Sequence, residues 1–312
     1  MVPGASNSTA SLRTLYYGPF RFESQIEIPE LNNITGSGER LVHIGSGGVP
    51  KAIQKADFAN EAVQLSAAEY LLNIPRVARY YVADGNRVQV ESVHGVPPSD
   101  ISAFLLGSVF GALCHQNRLL PLHASAISQG EQVTAFLGDS GSGKSTLAAS
   151  LHRRGYSIVS DDICLLDPRD AANPRVIPVA GWLKLWNQSL AHLGQAADQR
   201  HRVFSTEDKY RVPLPPATSE ARYLSRLIFL ERAEEHDAAP TLVRLSIPEA
   251  VAALMDMTYA VYIPVLSGQQ PRLFRECAAL LAHAEAFRLR RPWSLTRSDE
   301  VMDLLERELL GR

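Results

Sequence analysis

Gly138-Asp139-Ser140-Gly141-Ser142-Gly143-Lys144-Ser145-Thr146 decides how the rest of the chain is read. The stretch fits Gly-x-x-x-x-Gly-Lys-Ser, the pattern of a phosphate-binding P-loop. Its setting agrees with that pattern. Val133-Thr-Ala-Phe-Leu137 before it is a short apolar run suited to a buried strand, and residues 145–154 after it read as a helix closed by Gly155. A strand, a Gly-rich loop and a helix in that order are what the motif requires. The glycines let backbone N–H groups turn inward around phosphate oxygens, and the helix N-terminus adds positive potential. Lys144 can reach β- and γ-phosphates, and the Ser145 hydroxyl can sit on Mg²⁺. A Gly/Ser-rich hairpin is the alternative, but it needs neither the lysine nor the helix. The expected ligand is a nucleoside triphosphate, ATP with Mg²⁺, held by residues 138–146.

Working outward, Tyr156-Ser-Ile-Val-Ser160 is an apolar strand that ends in Asp161-Asp162. Mg²⁺ prefers hard oxygen ligands, so an acid at a strand end one helix after the P-loop suits a metal-side carboxylate. Adjacent carboxylates there point to different sides, one toward metal and the other toward an incoming hydroxyl. A helix cap or an Asp-rich turn is the other reading of the pair. His123 lies upstream in Leu119-Leu-Pro-Leu-His123-Ala-Ser, one hairpin from the loop; a lone His in an apolar run is more often a hydrogen-bonded core residue than a catalytic one. Downstream, Gly181-Trp-Leu-Lys184-Leu-Trp186 offers aromatic surface beside one lysine, for which packing is the commoner role. Lys209-Tyr-Arg211-Val-Pro213 sets two cations next to a rigid turn. They are candidate contacts to ATP or substrate phosphate, with a solvated loop as the alternative. Between these, residues 187–208 are polar and weakly patterned, a candidate mobile lid.

The chain has 312 residues, 46% hydrophobic and 21% charged, enough for a large core and about two domains. A formal net charge of −2 sets up no chain-wide field for nucleic acid or an anionic membrane. Cys114, Cys164 and Cys277 are far apart in apolar contexts, as buried thiols in a reducing compartment would be. Residues 1–11 are small and polar, lack the basic-then-apolar layout of a signal peptide, and are expected to be disordered. Residues 101–114 are the most apolar stretch and too short to span a bilayer, so a buried helix and a cytoplasmic protein are expected.

Before residue 98 the patterning is strand-rich. Residues 15–28 alternate around Pro19, and 41–44 form a short run between Gly clusters. Asp84-Gly85 joins two β-rich runs in the clearest hairpin of the chain. This unit carries little charge chemistry and reads as a recognition or assembly domain. Residues 99–312 hold the P-loop unit, with strands over 224–230 and 242–245 and helices over 247–255 and 270–287. The basic run 287–292 reads as a surface strand edge, and Ser298 as the cap of a final amphipathic helix. The fold class is α/β.

Taken together, His123, Gly138 to Ser145, Arg154-Gly155 and Asp161-Asp162 resemble the HPr kinase/phosphorylase-like kinases in order and spacing. The specific match covers about forty residues. The runs at 120–125, 183–186 and 209–210 (Leu-Pro-Leu-His-Ala-Ser, Leu-Lys-Leu-Trp, Lys-Tyr) are similar to those of the shorter kinases encoded with lasso-peptide biosynthesis genes. The resemblance implies a P-loop kinase domain with a mixed sheet flanked by helices, behind a smaller strand-rich α+β domain. It implies transfer of the γ-phosphoryl group of ATP to a serine hydroxyl, the C-terminal Ser of a lasso precursor peptide. In that scheme Lys144 holds the β/γ-phosphates, Ser145 and Asp162 serve Mg²⁺, Asp161 accepts the hydroxyl proton, and His123 positions that acid. Thr146 stands where HPr kinases usually have Glu, and their Pro-Gly-Arg-Asn loop is not visible after Lys209. HPr itself as acceptor and reverse phosphorolysis are therefore not carried over with the motif. A kinase for an HPr-like protein or a small hydroxylated metabolite, and a nucleotide sensor that binds without transfer, stay open beside the peptide kinase. No nucleic-acid or membrane partner is expected, and a homo-oligomer is compatible with the sequence.

Overall fold

The structure, a computed structural model, describes residues 12–36, 38–169, 174–179, 181–198, 202–214, 222–234 and 238–311. The expectation of disorder over 1–11 lies outside the described residues. Strands β1 (Arg13–Tyr17), β2 (Phe20–Ser24), β3 (Arg40–Ser46), β4 (Phe58–Ala59), β5 (Val63–Leu65), β6 (Glu69–Ile74), β7 (Ala78–Ala83) and β8 (Arg87–Ser92) form one sheet in the order β1-β2-β3-β8-β7-β6-β5-β4. Asp84 and Gly85 join β7 to β8 with φ of 56° and 68°, the two positive values that a tight hairpin with the native strand twist demands. Period-two alternation buries Phe20, Phe22, Val42, Ile44, Tyr80, Val82, Val88 and Val90 on one face.

That face is covered by one helical run, α1 (Pro98–Phe104) continuing through a kink at Gly107 into α2 (Phe110–Gln116). The kink has a local cause. Gly107 takes non-helical φ/ψ (−111°, −106°) inside a π-type turn, and a side chain there would press on the Tyr259 hydroxyl at 3.1 Å. Tyr80 donates to the Ile101 carbonyl at 3.1 Å, and the Asn117 amide donates to the Gly85 carbonyl at 2.7 Å. The helix that opens the second unit thus packs on the first, and Ile163, Leu165, Trp182 and Ile263 complete the same core.

The second sheet holds β9 (Leu120–Leu122), β10 (Ala124–Gln129), β11 (Gln132–Leu137), β12 (Ser157–Ser160), β13 (Cys164–Leu166), β14 (Arg175–Ile177), β17 (Arg222–Arg232), β18 (Thr241–Arg244) and β19 (Glu285–Arg291). Its main path runs β12-β10-β11-β17-β14-β13-β9, and β19 joins β17 to β18. β11, β17 and β19 are parallel while β10, β12, β14 and β18 run antiparallel to their neighbours, so the sheet is mixed, as expected. Helices cover both faces. α5 (Ile247–Asp256) and α7 (Gln270–Leu281), joined through the short α6 (Tyr262–Leu266), pack against Val133, Ala135, Leu137, Leu227 and Phe229. α3 (Lys144–Arg153) and α8 (Ser298–Leu305) pack against Ile127, Phe136, Ile228 and Leu289. Separately, β15 (Trp182–Trp186) and β16 (Lys209–Pro213) form a two-stranded sheet, with α4 (Asn187–His192) following β15.

Three expectations are corrected here. The helix read over 270–287 ends at Leu281, and Glu285 onward is strand β19, because parallel pairing with β17 outweighs local helix propensity. β19 is also no surface edge, since it lies between β17 and β18. Ser298 starts α8 without capping it; its hydroxyl meets His192 Nε2 at 3.2 Å. All three cysteines are buried and unpaired. Among the described residues no helix is long and apolar enough to cross a membrane.

Candidate active site

The chain leaves β11, turns through 138–143 and enters α3 at Lys144. Gly143 makes that entry in the left-handed region (φ 85°), a conformation a side-chain-bearing residue adopts only at a cost. Lys144 folds back along the loop, and its ammonium donates to the carbonyls of Gly138 (2.6 Å) and Asp139 (2.9 Å). From the end of β19 the Arg291 guanidinium donates to the Ser142 carbonyl, so a second cation braces the same loop. A cavity of about 260 Å³ opens above it, lined by Ser140, Gly141, Gly143, Lys144, Ser145 and Thr146 of the loop and helix. His123, Asp162, Lys184 and Lys209 line it from the other elements.

The two acids at the end of β12 diverge, because Asp162 has a left-handed backbone (φ 69°). Asp161 turns inward. Its Oδ1 accepts from the Ser125 hydroxyl at 2.6 Å and its Oδ2 from the Lys184 N–H at 2.7 Å, and the Ser145 hydroxyl lies close enough to favour its charged form. Asp162 faces the cavity, where its Oδ2 takes the Lys184 ammonium at 2.6 Å and its Oδ1 lies 3.7 Å from His123 Nε2. The expectation set Asp161 toward the acceptor and Asp162 toward the metal; in the structure Asp162 lines the cavity while Asp161 is held inward by Ser125 and the Lys184 N–H. The acid nearer the P-loop serine is Asp161, and the acid open to the cavity is Asp162.

Burial and charge set the protonation states. Burial pushes the Asp161 carboxyl up, against the donors from Lys184 and Ser125. Burial also acts to raise Asp162, but the Lys184 charge and hydrogen bond, with Lys209 and His123 behind them, overcome it and hold Asp162 well below the usual carboxylate range. His123 is lowered to about 4 by burial and by Lys144, only partly offset by Asp162. It is neutral at physiological pH, with its ring edge-on to Tyr259. Burial lowers Lys144 to about 8, against the pull of Asp162 and Asp161. A buried lysine at the edge of ionisation, with no carboxylate hydrogen-bonded to it, is a cation waiting for an anion.

Of the other expected contacts, Lys209 lines the cavity with its ammonium 5.7 Å from the Trp186 ring, and the Thr146 hydroxyl pairs with Ser189 Oγ of α4 at 2.8 Å. Gly138, Asp139 and Ser142 shape the loop from behind, two of them through the carbonyls that hold Lys144. Arg211 is not in this cavity. It is buried, its guanidinium 3.0 Å from Glu30, and it lines a separate cleft of about 940 Å³ between the two units. Sequence reasoning passed over Lys184 and Arg291. The alternation Trp182-Leu-Lys184-Leu-Trp186 does put Leu183 and Leu185 in a core and turns Lys184 the other way, but what it faces depends on β12, which no local pattern reveals. Segment 187–208 contains α4 at its start, and residues 199–201 lie outside the described residues.

An anion-binding loop, a hydroxyl–carboxylate pair beside it, and a second carboxylate held by a lysine and a neutral histidine are parts suited to moving a phosphoryl group onto a hydroxyl. No protein-family model and no curated protein sequence matches the chain. Among solved structures it is similar to the HPr(Ser) kinase/phosphatase from Coxiella burnetii at 13% identity, covering 61% of this chain and 90% of that one, with a TM-score of 0.32. At that score the likeness carries no weight for fold or function, which rest on this chain's own strands and side chains.

Proposed function

We propose that the protein is an ATP-dependent kinase that transfers the γ-phosphoryl group to a serine hydroxyl of a polypeptide acceptor. The lasso-precursor resemblance makes the C-terminal Ser of such a precursor the first acceptor to test. The observation that carries the reading is Asp162 in the cavity, between the Lys184 ammonium and His123, facing the same space as Lys144 and Ser145. A protein that only sensed nucleotide would need one metal-side acid, and in this reading Asp161 takes that place.

The donor set beside the loop fits Mg²⁺. The Ser145 hydroxyl and the Asp161 carboxylate are neighbouring hard oxygens, and Ser125 and the Lys184 N–H orient the carboxylate. A bound Mg²⁺ would neutralise charge on the phosphate oxygens. The remaining work falls to the chain. Loop N–H groups and Lys144 bind and align the phosphates. Asp162 accepts a hydrogen bond from the acceptor hydroxyl, aligns it and takes its proton late. A loose transition state asks for alignment more than for early deprotonation, so a carboxylate below its ordinary pKa is adequate there. Lys184 and His123 fix the Asp162 rotamer, and Lys184 stays close to the transferring charge.

A second cavity favours a polypeptide over a small metabolite. One face of the β15–β16 sheet carries Trp182, Lys184, Trp186, Lys209, Arg211 and Pro213. Lys184 and Arg211 are directly paired; the first lines the loop cavity and the second the large cleft, with Trp182 and Pro213 beyond it. The two lining residues are one cross-strand pair apart, about 5 Å between Cβ atoms, less than the length of two extended residues.

The test is mass spectrometry of a precursor peptide ending in Ser, incubated with the protein, ATP and Mg²⁺, against the same peptide ending in Ala. A gain of one phosphoryl mass on the Ser peptide alone is expected, lost in Asp162→Asn with nucleotide binding retained. No gain on that peptide, with gain on a small hydroxylated compound or an HPr-like protein, would replace the acceptor. Full transfer by Asp162→Asn would remove that residue from the chemistry.

A further inference from the structure

The loop cavity has two ends of different character. At one, His123, Asp162, Lys184 and Lys209 gather around the phosphate loop. At the other, Trp293, Leu295, Ser298 and Val301 face Leu147 and Ser150 of α3, with no ionisable group among those six. Ser150 lies six residues along α3 from Lys144, about 9 Å at the helical rise. Trp293 is 43% exposed, yet its ring is not loose. The guanidinium groups of Arg232 and Arg291 lie 5.6 and 5.4 Å from its centroid. Those arginines are register partners on the adjacent strands β17 and β19, so both reach the ring from the end of the same sheet. Arg291 is in turn bound to the Ser142 carbonyl of the phosphate loop.

We propose that Trp293 is the platform on which the nucleobase of the bound nucleotide stacks, with Leu295 and Val301 completing an apolar slot. The inference rests on the reading of the P-loop as a nucleotide site and adds where the base goes. The reacting phosphate must lie by Asp162, and the base, at the opposite end of the nucleotide, falls at the end of the cavity without transfer groups. A flat aromatic ring that is 43% exposed and steadied by two cations is a suitable partner for any purine. The other half-exposed ring of the cavity, Trp186, sits beside Lys209 on the sheet that carries Lys184, at the transfer end.

The experiment is calorimetric titration of the full chain with a non-hydrolysable ATP analogue and, separately, inorganic tripolyphosphate, each with Mg²⁺. Wild type, Trp293→Ala, Trp293→Phe and Trp186→Ala are compared. Trp293→Ala is expected to weaken the analogue about five- to a hundredfold and to leave tripolyphosphate within about twofold; Trp293→Phe restores most of the loss. Three outcomes overturn the platform: unchanged analogue affinity in Trp293→Ala, an equal loss of tripolyphosphate (the ring then only props Arg291), or the selective loss appearing in Trp186→Ala instead. If wild type binds neither ligand, the phosphate-loop reading falls first and the platform with it. Tripolyphosphate binding without any preference for the analogue would sink the platform alone.

Discussion

Replacing Lys184 by Met removes one charge from a site built on opposed charges, and the consequence can be worked from the structure. Its ammonium is 2.6 Å from Asp162, with side-chain exposures of 12% and 21%. Breaking a buried ion pair by deleting one partner costs about 3–5 kcal/mol, and residual solvent contact lowers that to about 2–4. The backbone N–H that holds Asp161 is untouched, so the loss is assigned to Asp162. In the wild type Asp162 lies below the ordinary carboxylate range; its contribution is present above about pH 4, the unfolded value, and is lost only as pH falls through the folded value. Without Lys184 burial dominates, the folded pKa rises, and the variant recovers by protonating Asp162 as pH falls. The melting deficit of Lys184→Met should therefore be largest near pH 8 and shrink toward pH 5. Adding Asp162→Asn should recover at least about half of it at pH 8. Thermal melts of wild type, Lys184→Met and the double variant at both pH values test this. An equal deficit at pH 5 and 8, with no recovery from Asp162→Asn, would refute the coupling. Transfer by Lys184→Met should fall by up to about 10²–10⁴-fold, the cost of losing a positioned proton-transfer group, because Lys184 is what positions Asp162.

Lys144 is lowered to about 8 by burial, and phosphates bind its charged form. Nucleotide binding should take up a proton above pH 8 and weaken by up to about tenfold per unit from there; calorimetry in buffers of different ionisation enthalpy reads the uptake, and none at pH 8.5 contradicts the value. His123, at about 4, is neutral across the working range, so His123→Gln should slow transfer without changing the shape of the rate profile between pH 5.5 and 7.5. Loss of a limb near pH 6.5 in that variant would show that the imidazole titrates. Arg154 at the end of α3 bonds Asp299 and Asp303 at 2.8 and 2.6 Å and the better-buried Glu306 at 2.6 Å, tying α3 to α8. Arg154→Ala should cost about 1–2 kcal/mol, with part of the loss masked at high salt; an unchanged melting point at low salt would show that apolar packing alone holds α8.

The phosphate loop was legible because its requirements are local: three glycines, a lysine and a hydroxyl at fixed spacing between a strand and a helix. Val133, Ala135 and Leu137 against Phe136 likewise announced a strand covered on both faces, and Asp84-Gly85 its hairpin. What stayed hidden is set by strand neighbours distant in sequence. The 285–291 run contains nothing that forbids a helix, and only the partner row on β17 makes it a strand. Its last residue, Arg291, looked like surface charge until that pairing aimed it at Ser142. The same cause separates the roles of Asp161 and Asp162. Adjacent carboxylates are symmetric in a sequence; what distinguishes them is a left-handed residue at 162, Ser125 one strand away, and β15 passing with its N–H toward one acid and its side chain toward the other. Lys184 thus touches both carboxylates with two different atoms. A substitution there tests the side-chain half of that contact and leaves the backbone half in place, which is why its effect should fall on Asp162 and spare the acid beside Ser145.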